Sequence, residues 1–227
     1  MSKQAPSVIF ALDVPTATEA LAWVDRLSPD IGWYKVGLEL FVAEGPALVQ
    51  ELKSRGVRVF LDLKLLDIPA TVKRTMDRIA ALGVDLATVH VTGGPEMLAA
   101  AREGAGGQVK VVAVTLLTSM AAGPGEEAKT LVLSRARMAN DAGLSGVVCS
   151  GLEVGAMKKA YPGLLAVCPG IRPAADRGRD DQKRVVTAGQ AAAAGADFLV
   201  VGRPIRDAAE PLEIVGKMME EIRRATG

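Results

Sequence analysis

Short apolar runs alternate with longer amphipathic stretches along the whole chain, and glycines or prolines punctuate the junctions. Val8-Ile9-Phe10-Ala11-Leu12 reads as a strand that ends at Asp13. Thr16 followed by Glu19 has capping-box spacing and opens an amphipathic helix through Leu21, Val24 and Leu27. A second run, Gly32-Trp33-Tyr34-Lys35-Val36-Gly37, leads to a helix expected from Pro46 to Arg55 and closed by Gly56. The third, Val57-Arg58-Val59-Phe60-Leu61, runs into Asp62-Leu63-Lys64-Leu65-Leu66-Asp67. Pro69 then suits the first turn of a helix with Val72, Met76, Ile79 and Leu82 on one face. The fourth strand is Asp85 to Val91, with a helix from near Glu96; the fifth is Lys110 to Leu117. A helix from Glu126 to Ala142 precedes strand six, Gly146 to Cys149, and a short helix separates it from strand seven, Leu164 to Cys168. Thr187 with Gln190 caps a helix ending at Gly195. Strand eight is Asp197 to Val201, and the last helix carries Leu212, Val215, Met219 and Ile222.

Strand and helix thus alternate at intervals of roughly 20 to 35 residues, the spacing of βαβ units. Eight such units with no linker or composition shift predict one domain over residues 1–227, an α/β protein built as a single (β/α)₈ TIM barrel. A doubly wound open sheet is the alternative.

Composition narrows the function classes. Lys and Arg number 27 against 26 Asp and Glu, so no global field favours nucleic acid or an anionic membrane. No apolar stretch reaches about 18 uninterrupted residues, and the N-terminus lacks a signal-peptide core, so a soluble cytoplasmic protein is expected. Cys149 and Cys168 each sit in an apolar run without metal-ligand spacing and read as buried free thiols.

In a barrel the active site lies at the C-terminal ends of the strands. Those ends carry Asp13, Lys35, Asp62 with Lys64, His90, Thr118, Ser150, Arg172 and Gly202-Arg203, whereas the opposite ends contribute little beyond surface polar residues. Residues two apart in a strand share a face, so Asp62 and Lys64 are expected side by side. One such pair is equally readable as a structural ion pair; charged groups ending strands one, two and three together point to a site. His90, the single histidine, reads as a satisfied strand-end residue. Gly202 lets backbone N–H groups approach an anion and Arg203 offers a bidentate fork, so the turn after strand eight is a candidate phosphate site, with Arg172 as a neighbouring cation. The charged loop between Arg172 and Gln182 reads as a lid that orders on the ligand.

Asp62-x-Lys64-x-x-Asp67-Ile68-Pro69-x-Thr71 resembles the signature of the orotidine 5′-phosphate decarboxylase family. The resemblance extends to Ala11-Leu12-Asp13, Lys35-Val36-Gly37, Leu117-Thr118-Ser119-Met120, Pro169-Gly170-Ile171-Arg172-Pro173 and Val201-Gly202-Arg203-Pro204. It implies decarboxylation of orotidine 5′-monophosphate (OMP) to uridine monophosphate (UMP), without a metal or organic cofactor. It also implies roles: Lys64 as proton donor within a charged array of Lys35, Asp62, Lys64 and Asp67. Asp13 and Lys35 would bind ribose hydroxyls, Thr118 the pyrimidine, and Gln182, Gly202 and Arg203 the phosphate, with Arg172 in the same set. Asp67 and Thr71 would reach into the partner's site of a homodimer. The residues alone leave two alternatives open. One is an Mg²⁺-dependent sugar-phosphate decarboxylase or aldolase using Asp62 and Asp67; the other is a nucleotide-binding barrel without catalysis.

Overall fold

The computed structural model describes residues 5–117, 126–173 and 184–227. Among them, β1 (Ser7–Ala11), β2 (Trp33–Gly37), β3 (Arg58–Leu65), β4 (Leu86–His90), β5 (Lys110–Val114), β6 (Gly146–Val148), β7 (Leu165–Cys168) and β8 (Phe198–Val201) are parallel. Each pairs with its sequence neighbour, and β8 pairs back onto β1, so the sheet is a closed barrel rather than an open one. The helices are α1 (Ala17–Leu27), α2 (Leu38–Ser54), α3 (Pro69–Ala81), α4 (Gly94–Ala105), α5 (Glu126–Asp141), α6 (Gly151–Ala160), α7 (Ala188–Ala194), α8 (Arg203–Arg206) and α9 (Pro211–Thr226).

The alternation of side chains along each strand divides the apolar residues into two layers. Val8 and Phe10 on β1, Val59 and Leu61 on β3, and Ala87 and Val89 on β4 face outward onto the helices. Ile9, Trp33, Phe60, Leu86, Val112 and Phe198 fill the barrel itself. Trp33 and Phe198 begin their strands and meet edge-on with centroids 4.9 Å apart. They close the N-terminal end and leave polar residues to occupy the other. Each large side chain fully buried in these layers contributes roughly 1.5–3 kcal/mol.

Helix ends follow local chemistry. At α7 the capping box is complete: Gln190 N–H donates to Thr187 Oγ1 (3.2 Å) and Thr187 N–H to Gln190 Oε1 (3.0 Å). At α1 only the forward half of the expected box forms, Glu19 N–H to Thr16 Oγ1 at 3.3 Å. There the neighbouring Ala17 N–H is taken instead by Glu44 of α2 at 2.8 Å.

Three expectations change. The expected helix from Pro46 is preceded by a further helical segment from Leu38, and the two meet within α2 at Gly45 (φ 63°, ψ −157°), a conformation open to glycine and costly for other residues. Strand β5 stops at Val114 rather than Leu117. The buried face of α9 is Pro211, Val215, Met218 and Ile222, and Leu212 is exposed.

Candidate active site

The closed barrel brings the C-terminal strand ends to one rim, and Asp13, Lys35, Asp62, Lys64, Arg172, Gly202 and Arg203 line a single cavity there of about 200 Å³. Its floor is apolar, with Ala11, Phe60, Val167 and Val200 among its residues. Lys35 Nζ lies 2.8 Å from Asp13 Oδ1, the ammonium 12% and the carboxylate 48% exposed. Gly37 gives that ammonium room: a Cβ there would come within 3.0 Å of Nζ. Lys64 Nζ lies 2.7 Å from Asp62 Oδ2, with side chains 33% and 14% exposed.

Asp62 and Lys64 converge as expected, but through an irregularity that simple alternation does not contain. Pairing runs Phe60↔Leu86 and Leu61↔Ala87, then jumps to Leu65↔Val89. Strand β3 therefore carries two more residues than β4 between these pairs, a bulge whose effect is to re-aim side chains. Lys64 sits inside it at φ 51° and is the sole non-glycine at positive φ among the described residues. That conformation costs a residue with a Cβ roughly 1–2 kcal/mol, so the surroundings must hold it. Thr88 on β4, which sequence reasoning passed over, supplies the hold. Its Oγ1 accepts from Lys64 N–H at 2.8 Å and donates to Asp62 Oδ1 at 2.9 Å. The available signal was a polar residue at the inward position between Leu86 and His90.

On the opposite wall, Gly202 follows β8 and caps α8, its carbonyl accepting from Ile205 and Arg206 N–H at 3.0 Å each. Arg206 Nη1 reaches back 2.9 Å to the Asp13 carbonyl and ties this turn to the end of β1. Arg172 is buried, with Nη1 donating to the Ile171 carbonyl at 2.8 Å. Its segment is clasped by a parallel bridge, Ile171↔Val186, through Arg172 N–H to Val186 O (3.0 Å) and Val186 N–H to Gly170 O (3.3 Å).

Asp67 and Thr71 do not line this cavity. Asp67 is exposed in the loop after β3, where its Oδ1 accepts from Ile68 N–H at 2.6 Å, and Thr71 lies in the first turn of α3. Asp62 and Asp67, the pair an Mg²⁺ site would use, thus do not face one cavity within a protomer. Among the described residues no three His, Cys, Asp or Glu side chains form a metal-binding group. Thr118, Gln182 and residues 174–183 of the expected lid lie outside the described residues.

His90 and Ser150 have local tasks. His90 Nδ1 is 2.7 Å from Thr92 Oγ1, and partial burial, helped by the positive charges of Arg135 and Lys64, lowers its pKa. Ser150 caps α6 and donates to the Arg184 carbonyl at 3.2 Å. Both cysteines are buried and free; burial raises the Cys149 pKa well above its ordinary value and that of Cys168 to about 12. No described helix is long and apolar enough to cross a membrane.

Relatives share this architecture along its length. Residues 6–218 match the family described as orotidine 5′-phosphate decarboxylase / HUMPS. Orotidine 5′-phosphate decarboxylase of Desulfosudis oleivorans is 50% identical, the alignment covering 96% of this chain and 93% of that one. Its counterpart in Nitrosospira multiformis is 46% identical, with 96% and 94% covered. The crystal structure of orotidine 5′-phosphate decarboxylase from Lactobacillus acidophilus superposes with a TM-score of 0.82 at 33% identity, covering 96% of this chain and 99% of that one. Motif, closed barrel and near-complete alignment agree: the chain belongs to the orotidine 5′-phosphate decarboxylase / HUMPS family.

Proposed function

We propose that the protein is an orotidine 5′-phosphate decarboxylase of pyrimidine biosynthesis that converts OMP to UMP and CO₂. The observation that carries this reading is the Asp62–Lys64 pair, aimed by a strained bulge into a cavity whose far wall bears Gly202, Arg203 and Arg172. An acid and an ammonium at one end and anion-binding groups at the other suit a substrate with a reacting carboxylate and a remote phosphate.

The chemistry is demanding. When the C6–carboxylate bond breaks, its electron pair stays on C6 in an orbital orthogonal to the ring π system, so the ring delocalises it poorly. The barrier to be removed is on the order of 20 kcal/mol. Lys64 places its ammonium beside C6, stabilises the growing negative charge, and transfers a proton to C6 as CO₂ departs; solvent returns a proton to the amine. Asp62 sits against the substrate carboxylate and raises the energy of the bound ground state, a repulsion that the loss of CO₂ relieves. Lys35 extends the charged array and, with Asp13, binds the ribose hydroxyls. Gly202, Arg203 and Gln182 hold the phosphate beside Arg172, and Thr118 addresses the pyrimidine. Phosphate binding remote from C6 supplies binding energy that can be spent at the reacting end of the substrate.

The active unit is a homodimer in which each protomer lends Asp67 and Thr71 to its partner's cavity. The exposure of Asp67, together with exposed Leu38, Val42, Leu66 and Ile68 on the neighbouring loop and helix, supports that arrangement. Such apolar side chains are the kind that an interface covers.

Purified protein mixed with OMP and excess chelator tests the reading by loss of orotidine absorbance. Conversion to UMP is the expected result. Turnover that needs added Mg²⁺, or none at all on OMP, would overturn it in favour of a sugar-phosphate enzyme or a binding-only barrel.

A further inference from the structure

We infer that Thr88 is a positioning residue for the proposed reaction, its buried hydroxyl locking Lys64 and Asp62 into the geometry in which they meet the substrate. The inference rests on the decarboxylase reading and assigns the site a component outside its signature. Thr88 is 1% exposed and points inward on β4 between Leu86 and His90. It makes two hydrogen bonds, from Lys64 N–H (2.8 Å) and to Asp62 Oδ1 (2.9 Å).

The direction of both bonds follows from the groups involved. A carboxylate only accepts and a backbone N–H only donates, whereas a hydroxyl does both. One hydroxyl is therefore the minimal group that can join the two. It also answers a local need. In a regular parallel ladder, N–H groups of β3 find carbonyls on β4, but the bulge between Leu61 and Leu65 breaks that register. Thr88 Oγ1 takes the Lys64 N–H within the bulge and so supports a backbone at φ 51° that a lysine would otherwise leave. Branching at Cβ restricts χ1, so the hydroxyl is held ready rather than recruited. Asp62 and Lys64 are thus locked twice: through their own ion pair at 2.7 Å, and through a shared third residue behind it.

Thr88→Val keeps the shape and removes both bonds; Thr88→Ser keeps both bonds and removes the methyl group. Displacing a reacting group by about an ångström costs on the order of 100-fold, so that loss of kcat is expected for Thr88→Val with KM and UMP affinity little changed. Thr88→Ser is expected to restore most of the rate, a rescue that a packing role for the methyl group would not give. A Thr88→Val variant with wild-type kcat, or a serine variant as impaired as the valine one, would overturn the inference. Hydrogen exchange at the Lys64 amide of ¹⁵N-lysine-labelled wild-type protein needs neither turnover nor a folded variant. Strong protection is expected, and rapid exchange would remove the Thr88 bond. Wild-type protein inert toward OMP but protected at Lys64 would overturn the decarboxylase reading while leaving the lock in place.

Discussion

Replacing Lys64 by alanine tests the proposed chemistry most directly, and its effect can be sized. At an effective dielectric of about 20, a unit charge about 4 Å from the developing carbanion contributes roughly 4 kcal/mol, or close to three powers of ten in rate. Losing a positioned proton donor costs a further 10²–10⁴-fold or so. The two effects share one group and do not add cleanly, yet turnover is expected to fall by on the order of 10⁵ or more. UMP binding should change little, because the proposed phosphate site, Gly202 and Arg203, lies on the far wall of the cavity. Single-turnover decay of orotidine absorbance and calorimetric titration with UMP measure the two quantities separately. The backbone supplies a control. At φ 51° alanine keeps the strain that lysine bears, whereas Lys64→Gly relieves it. The glycine variant is expected to be equally inactive but more stable to urea than the alanine variant, by about 1 kcal/mol. Turnover within about tenfold of wild type in either variant would remove Lys64 from the chemical step. A glycine variant less stable than the alanine one would contradict the strained backbone.

Four further expectations follow from the same geometry. Arg203→Ala should lower kcat/KM for OMP by weakening phosphate capture, and an unchanged value would place the phosphate elsewhere. Lys64→Ala and Asp67→Ala protomers, each inactive alone, should recover activity on mixing, because one heterodimer site then has both residues intact; no recovery would argue against a shared site. Glu153 and Arg184 form a buried ion pair with side chains 5% and 11% exposed, and Glu153 Oε2 and Arg184 Nη1 lack hydrogen-bond partners among the described residues. Glu153→Gln should destabilise the fold by about 3 kcal/mol in urea melts by leaving the guanidinium uncompensated, and a loss below about 0.5 kcal/mol would contradict that. Burial raises the thiol pKa of Cys149 and lifts that of Cys168 to about 12, so the folded state keeps protons that the unfolded chain releases. Their stabilising contribution should be complete below about pH 8.5 and be lost as pH climbs toward 12, with wild-type stability falling more steeply there than that of Cys149→Ala/Cys168→Ala.

The strands were legible because alternation and buried runs carry local information, and the rim residues because closing a parallel barrel brings every C-terminal strand end together. Asp13, Lys35, Asp62, Lys64, Arg172, Gly202 and Arg203 all come to one cavity on that account. What escaped reading depends on pairing between distant segments. The bulge at Lys64 is a mismatch between β3 and β4, invisible in either strand alone, and Thr88 matters only because of it. The segment of α2 before Gly45 was missed because Leu38 and Val42 are apolar yet exposed while Leu40 is buried, so hydropathy shows no helical stripe there. Asp67, which the family motif assigns to the partner's site, lies exposed outside the cavity of its own protomer, and only a second copy of the chain tests that assignment.

Ion pairs at the two ends of the barrel show why acid–lysine spacing alone does not mark an active site. Asp85, just before β4, meets Lys53 of α2 at 2.6 Å, and Asp197, just before β8, meets Lys158 of α6 at 2.7 Å. These distances match those at the rim, and the groups are half-buried in both places. These carboxylates read from the sequence as surface polar residues, yet each has a structural task. Asp85 Oδ2 accepts from Val59 N–H at 2.8 Å and Asp197 Oδ2 from Ala166 N–H at 2.7 Å, so each clamps the strand beside it. In each, one carboxylate oxygen accepts from both a neighbouring strand's backbone N–H and a helix lysine, and the pair so formed serves strand register. At the rim the ion pairs face a cavity, and one of them is held by a strained backbone and a hydroxyl whose bonds serve that pair. Strain of about 1–2 kcal/mol persists only where the surroundings over-determine it, and here what it secures is the direction of one ammonium. The distinction between a clamp and a candidate reactive pair therefore lies in what the charged groups face: Asp62 and Lys64 line the cavity, whereas Asp85 and Asp197 bind the strand beside them.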